Sequence, residues 1–173
     1  MDVAQQELVN WLKSMGADLV GFAPVERFAG APSYMHPAAH LPSARTVIVI
    51  GVHHPDAAIE FEGEPTPHHM GPGAIQGAMN TKLEHIAFWL ARRLEAGGSW
   101  TVTVPATNVW RFRPFTEDGN VFTPDLSNIH AAAAAGLGEI GLSGLFLSPQ
   151  FGPRQRLQCT ITEAEFEPTP MYQ

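Results

Sequence analysis

Apolar and polar residues recur along this chain with two different periods, and each change of period marks an element. Leu8, Trp11, Leu12 and Met15 fall at i, i+3, i+4 and i+7, which predicts a helix. Gly16 then supplies a natural C-terminal stop. Asp18–Ala23 predicts a short strand ended by Pro24. Thr46–Val52 is β-branched and almost wholly apolar, the pattern of a strand buried on both faces. Ile75, Met79, Leu83, Ile86, Leu90 and Leu94 form a long helical stripe, closed by Gly97-Gly98. Trp100–Val104 alternates as a strand stopped by Pro105. Leu157, Cys159 and Ile161 alternate with Gln158, Thr160 and Thr162, which predicts a half-exposed strand.

The remaining stretches read as connections. Glu26 to Ser43 is rich in Pro, Ala and His and reads as a loop. His53 to about Gly73 holds Pro55, Pro65, Pro67 and Pro72 and reads as a lid or mobile loop. After Pro105 comes a loop with Arg111, Arg113 and a turn at Asp118-Gly119. Thr123-Pro124 has the form of an N-cap followed by Pro at N1, predicting a helix through Ala131–Ala135 that ends at Gly136. Glu165 onward is a Pro-containing tail. No repeat or interdomain linker is visible, so residues 1–173 are expected to form one domain. The order of elements indicates a compact α+β or α/β sandwich with a mixed sheet.

Composition narrows the class. A chain of 173 residues and 18.8 kDa suits a single domain. Folding at this size buries roughly 70% of the unfolded surface, enough for a core without staples. Hydrophobic residues make up 45% and charged residues 16%, which argues against bulk disorder. The net charge is −7 and no long basic run occurs, so nucleic acid is not expected as a partner. Thr46–Val52, the longest apolar stretch, is far short of the ~20 residues of a membrane helix. The N-terminus has no signal-peptide pattern, and with a single cysteine a cytoplasmic location is expected. Cys159 alone permits neither an intramolecular disulfide nor an all-thiolate zinc or iron–sulfur site within the chain.

Two neighbouring segments carry the candidate chemistry. In Ala135-Gly-Leu-Gly-Glu-Ile-Gly-Leu-Ser-Gly144, four glycines fall in nine residues after an alanine helix. Such a loop lets a second backbone or a flat ligand approach closely. The alternative is a helix C-cap followed by a tight turn. Gly136, Gly138 and Gly141 match G-x-G-x-x-G, yet they follow a helix rather than a strand, so a Rossmann site is excluded. Ser148-Pro-Gln-Phe-Gly-Pro-Arg154 fixes a turn that presents Arg154, whose guanidinium can take phosphate or carboxylate, or else stand solvated at a strand start.

Taken together, the two segments resemble the corrinoid-binding domain of epoxyqueuosine reductases and respiratory reductive dehalogenases. Leu41-Pro-Ser-Ala-Arg-Thr-Val-Ile-Val49 and the helix from Asn80 to Glu95 are also similar to that family, and the likeness spans roughly residues 1–168. It implies an α+β, nitroreductase-like three-layer sandwich with a mixed central β-sheet. It also implies base-off cobalamin, with no protein histidine on its lower face and its nucleotide tail tucked into the protein. On that likeness, Gly136, Leu137, Gly138, Gly141, Leu142, Gly144, Ser148, Phe151, Gly152 and Arg154 would contact the cofactor. Gly138→Val is expected to block the ligand while leaving the fold largely intact.

The sequence departs from the family in two places. Family enzymes carry a following domain with two Cys-rich [4Fe–4S] motifs, and this chain has none. It is therefore expected to be either a cut fragment or a stand-alone corrinoid protein served by a ferredoxin-like electron donor. The acidic proton donor of epoxyqueuosine reductases falls here at Phe122, with Asp125 near but out of register. Dehalogenases use a tyrosine, and the two here are Tyr34 and Tyr172. His130 is a further proton-donor candidate, because imidazole exchanges protons near neutral pH, although a helix-packing role is the plainer one. Asp125, Tyr34 and His130 are the catalytic candidates.

The other histidines assign no metal site. His53-His54 and His68-His69 are adjacent, so on a strand each pair offers one ligand to a site at most. The expected function is thus a corrinoid-dependent reductase acting on a small-molecule substrate. The alternatives are a corrinoid carrier, storage or sensing protein, and a flavin-binding, nitroreductase-like protein with FMN. A homodimer is left open.

Overall fold

The computed structural model describes residues 3–59, 72–107, 111–112 and 122–173. Helix α1 (Val3–Ser14) leads into strand β1 (Leu19–Pro24). Two 3-10 turns and the four-residue helix α2 (Pro37–His40) precede β2 (Thr46–His53). Then come α3 (Asp56–Ile59), α4 (Pro72–Ala96), β3 (Thr101–Thr103), the short strands β4 (Arg111–Phe112) and β5 (Phe122–Thr123), and α5 (Asn128–Ala134). A hairpin of β6 (Glu139–Ile140) and β7 (Phe146–Leu147) leads to the last strand, β8 (Gln155–Thr162).

The main sheet has the order β1-β2-β8-β3. Each of its pairings is antiparallel, where a mixed sheet was expected. Strand β2 lies inside the sheet and is buried along nearly its whole length, as its unbroken apolar run requires. Its even positions Ile48, Ile50 and Val52 join Phe22 of β1 and pack against Leu8 and Leu12 of α1 and Leu83, Ile86 and Leu90 of α4. Its odd positions Val47 and Val49 join Leu157, Cys159 and Ile161 and pack against Ala131, Ala132 and Ala135 at α5. Each large apolar side chain so buried contributes about 1.5–3 kcal/mol. The fold class is therefore α+β, with helices against both faces of the sheet.

Three helices end in the same way. The amides of Gly16 and Ala17 bond back to Lys13 and Leu12, those of Gly98 and Ser99 to Glu95 and Leu94, and those of Gly136 and Leu137 to Ala133 and Ala132. This is the Schellman pattern, and Gly16, Gly98 and Gly136 take the positive φ that it needs.

Four expectations change. The helix expected at Thr123 begins at Asn128, with Ser127 as the N-cap, because Thr123 pairs with Arg111 in β5. Ser127 serves four residues later the role that Thr123-Pro124 suggested. Strand β8 is buried on both faces rather than half exposed. Helix α4 covers its polar face, and Gln158 Nε2 donates to the Val104 carbonyl at 2.7 Å while Thr162 shares a 3.0 Å hydrogen bond with Thr101. The loop expected from Glu26 to Ser43 holds 3-10 turns at Val25–Phe28 and Ser33–Met35 as well as α2. The expected lid opens with α3, and its residues 60–71, including His68 and His69, lie outside the described residues, as do Arg113 and Asp118-Gly119.

The glycine-rich segment is the β6–β7 hairpin, and its tightest approaches are to the chain itself. A Cβ on Gly136 would overlap the Pro170 carbonyl of the C-terminal tail. A Cβ on Gly138 would overlap the Leu147 carbonyl. A side chain at Gly138 therefore strains the hairpin before any ligand is involved, which corrects the expectation of an intact fold in Gly138→Val. Gly144 also has a positive φ, but open space surrounds it. Gly138→Ala should lower the unfolding free energy in urea by about 2–4 kcal/mol, and Gly144→Ala by only about 1 kcal/mol. Equal losses would contradict this account of the hairpin.

Candidate functional site

The two motif segments meet beside the start of β8. Ser148 and Gly152 exchange backbone hydrogen bonds of 3.0 and 2.9 Å, closing the turn that Pro149 and Pro153 bracket. The Ser148 hydroxyl accepts from the Phe151 amide at 3.2 Å and donates to Gln155 Oε1 at 2.8 Å. Gln155 Nε2 in turn donates to the Phe146 carbonyl at 3.0 Å, tying the turn to the hairpin. Phe151 stacks on His53, with ring centroids 4.3 Å apart and planes 23° apart. Leu142, at the hairpin tip, is fully exposed, and Leu145 is largely so.

Arg154 is already engaged. Its guanidinium donates to Asp56 Oδ1 at 3.2 Å, and His53 Nε2 lies 3.4 Å from the same oxygen. The pair is substantially exposed, so it adds little stability but does place a carboxylate on the cation expected to serve a ligand.

Two cavities flank α5. The first, about 370 Å³, lies where β3 stops pairing at Thr103↔Thr160 and residues 155–158 of β8 have no described strand on that side. Ser127, Asn128, Leu145, Phe146, Arg156 and Leu157 are among its lining residues. Asn128 pins this edge: its Nδ2 donates to the Pro105 carbonyl at 3.1 Å, and its Oδ1 accepts from both the amide and the thiol of Cys159 at 3.0 Å. Burial pushes the Cys159 thiol far up, so it stays protonated. The second cavity, about 550 Å³, is mostly apolar and is bounded by Phe28, Met35, Leu126, His130, Ala133 and Met171.

Of the proton-donor candidates His130 lines the second cavity, and Tyr34 and Asp125 each adjoin a lining residue in sequence. His130 Nδ1 lies 2.8 Å from the Ser127 hydroxyl. Tyr34 sits on the 3-10 turn whose Met35 lines the cavity. Asp125 precedes the lining residue Leu126, and its carbonyl bonds to His40 Nε2 at 2.7 Å. Of the cofactor candidates, Ser148, Phe151, Gly152 and Arg154 share one turn, and Gly138, Gly141 and Leu142 belong to the adjoining hairpin. Gly136 and Leu137 close α5, where Leu137 packs against Gly21 of β1.

Sequence reasoning passed over the group with the most unsatisfied chemistry. Arg156 and His54 lie on the α4 side of the sheet, as Gln158 and Thr160 do. Arg156 Nε, His54 Nδ1, Gln158 Oε1, Thr160 Oγ1 and Asn80 Oδ1 are all buried without a hydrogen-bond partner. No carboxylate of the described residues lies within ion-pair distance of the half-buried Arg156. The β8 alternation was the available signal, since it sets Arg156 in line with Gln158.

Burial first, then the charge of Arg156, then His53, hold the His54 imidazole below its usual pKa of 6.5. Burial also lowers that of Arg156, which nevertheless remains a cation. Between the folded value of His54 and 6.5, the unfolded chain carries the extra proton, so this group's contribution to stability is full above pH 6.5 and declines as the pH falls toward the folded value. In a nuclear magnetic resonance titration, His54 should show a midpoint below 6.5 that rises partway back in Arg156→Gln. A midpoint at or above 6.5 in the parent protein would contradict the described burial.

No protein-family profile matches the chain, and no curated protein does. Solved structures do share its fold. Epoxyqueuosine reductase from Streptococcus thermophilus is 20% identical, with a TM-score of 0.66 over 100% of this chain and 49% of that one. The Bacillus subtilis enzyme, solved with its catalytic aspartate loop swung out of the active site, is 18% identical, with a TM-score of 0.65 over 98% and 48%. A reductive dehalogenase whose structure suggests a mechanism for B12-dependent dehalogenation is 17% identical, with a TM-score of 0.65 over 94% and 22%. The chain thus spans about half the length of the epoxyqueuosine reductases and about a fifth of the dehalogenase, and with both it shares a fold.

Proposed function

We propose that this chain is the corrinoid-binding part of a B12-dependent reductase. The observation that carries the reading is a coincidence of two independent signals. The fold matches epoxyqueuosine reductases and a reductive dehalogenase over nearly the whole chain, and the two sequence segments that resemble that family meet in space beside one cavity. On this reading the chain is one nitroreductase-like, three-layer domain.

The residues present suit such a cofactor in part. A cavity of about 370 Å³ admits a nucleotide-sized group and not a corrin macrocycle. Arg156, which is among its lining residues and has no carboxylate of the described residues within ion-pair distance, suits a phosphodiester, whereas Arg154 is held by Asp56. The macrocycle would then lie outside the cavity, against the exposed Leu142 and Leu145 of the hairpin and beside Phe151. A base-off corrinoid supplies low-valent cobalt as reductant. The chain's own contribution is to bind and orient, and to hold a proton at His130, Tyr34 or Asp125 by the second cavity. Electrons would come from a ferredoxin-like partner or domain, since the Cys159 thiol is buried and bonded to Asn128.

A carrier or sensor reading is favoured by one feature: Phe122 stands where the family's acid is expected. FMN remains the contrasting ligand in the test. The acidic balance of the chain does not by itself exclude nucleic acid from the whole protein, because an epoxyqueuosine reductase of this fold has been solved with a tRNA stem loop. Among the described residues no helix is long and apolar enough to cross a membrane.

Purified protein mixed with hydroxocobalamin should show the absorption change of base-off binding, and FMN should give no stoichiometric complex. A tight FMN complex without cobalamin binding would replace this reading. Electron paramagnetic resonance of the bound cobalt(II) form should lack nitrogen superhyperfine splitting. Splitting that disappears on replacing a single histidine would instead show an axial imidazole.

A further inference from the structure

We infer that the second cavity, bounded by α5, the turns after β1 and the C-terminal tail, binds a small organic acid with an apolar body. Arg27 takes the carboxylate and the apolar wall takes the body. The corrinoid reading puts a proton donor at this cavity but assigns it no occupant, and binding of the acid does not require a bound corrinoid.

Three observations carry it. The first is the state of Arg27. It lines the cavity, and one of its terminal nitrogens donates to the Ala134 carbonyl at 2.7 Å and to the Thr169 carbonyl at 2.9 Å. No carboxylate of the described residues lies within ion-pair distance of it. Its other terminal nitrogen and its Nε have no partner among the described residues, and neither is buried as Arg156 Nε is. A guanidinium stays charged and presents its donors as a planar fork, so an accessible side of this one is left for an anion.

The second observation is that this cation is held in place before any ligand arrives. Ala134 ends α5. Thr169 is fixed to β1, where its amide donates to the Phe22 carbonyl at 2.9 Å and its hydroxyl accepts from the Phe22 amide at 2.8 Å. Arg27 therefore joins two anchored carbonyls, and binding need not first order its side chain. Ser127 and His130, the other polar side chains of the lining, face each other, with His130 Nδ1 2.8 Å from the Ser127 hydroxyl. Arg27 is thus the permanent charge of the wall.

The third is the wall itself. Phe28, Met35, Leu126, Ala133 and Met171 are among the residues that make the lining mostly apolar. A volume of about 550 Å³ lies well inside the range for small-molecule sites. Phe28 and Leu126 are buried parts of the core, whereas the two methionines can adjust to the outline of a ligand. One fixed cation in an apolar hollow matches an acid carried on one or two rings. A bare inorganic anion would leave the hollow unfilled, and a neutral apolar molecule would leave Arg27 without a counterion. The site is distinct from the cavity beside β8, although Ser127 lines both.

The test titrates the chain, without corrinoid, in calorimetry with 2-naphthylacetate, its neutral counterpart 2-naphthylacetamide, and acetate. 2-Naphthylacetate should bind about tenfold more tightly than the amide and at least about a hundredfold more tightly than acetate. Arg27→Gln should bring acid and amide to within about twofold of each other, and Arg27→Lys should keep part of the preference. Arg45→Gln, which removes an exposed cation paired with Glu165, should leave the preference unchanged. Ala133→Leu, which narrows the apolar wall, should weaken acid and amide alike by at least about tenfold. Circular dichroism of each variant checks that it folds. A general loosening of the tail in Arg27→Gln would lower both affinities and leave their ratio, so the ratio isolates the charge. Equal affinity of the parent for acid and amide, a preference that survives Arg27→Gln, or binding untouched by Ala133→Leu overturns the inference. Hydroxocobalamin is titrated separately: its failure alone removes the corrinoid reading and leaves the acid site, and failure of the acid alone does the reverse.

Discussion

The antiparallel pairing of β2 with β8 sets the position of everything the chain can do. It runs in register from Thr46↔Thr162 to His53↔Gln155, and because it is buried on both faces a slip of one residue would exchange the two cores. Val47 and Val49 would then face α4, and Ile48 and Ile50 would face the alanines of α5. Small side chains on one helix and large ones on the other forbid that exchange. The same register delivers His53 and His54 to the end of β2 opposite Arg154 and Arg156 at the start of β8. The functional end of the sheet is thus fixed by packing in its middle.

Much of the scaffold was legible because periodicity reports burial directly. The stripe from Ile75 to Leu94 could only be a helix against a sheet, and the unbroken run Thr46–Val52 could only be an interior strand. The glycines after α1, α4 and α5 marked helix ends because a Schellman turn needs a residue that tolerates positive φ. Strand β8 misled for a physical reason. Its Gln158 and Thr162 find hydrogen bonds inside the protein, so polar spacing did not mean exposure. The start of α5 misled because Thr123-Pro124 and Ser127 are both sound caps in isolation, and strand pairing at Thr123 decides between them.

The site was legible in outline, and the partners of its residues were not. The turn from Ser148 to Arg154 and the glycine hairpin do lie together, as a shared resemblance suggested. Gly136 and Gly138, however, make room for the chain's own carbonyls at Pro170 and Leu147. Nor could spacing alone say which of Arg154 and Arg156 keeps its charge free. That depends on Asp56, nearly a hundred residues earlier in the sequence and brought close only by folding.

These features fit together as a division between rigid frame and unsatisfied edge. Asn128 spends its whole side chain on closing the edge of β8, bonding Pro105 on one side and Cys159 on the other. Gln155, one position before Arg156, is likewise held at both ends of its amide by Ser148 and Phe146. The cavity between them is therefore lined by side chains whose orientations are fixed before any ligand arrives. Beside that frame the half-buried Arg156 keeps a buried Nε without an acceptor, a cost to folding that no carboxylate of the described residues offsets.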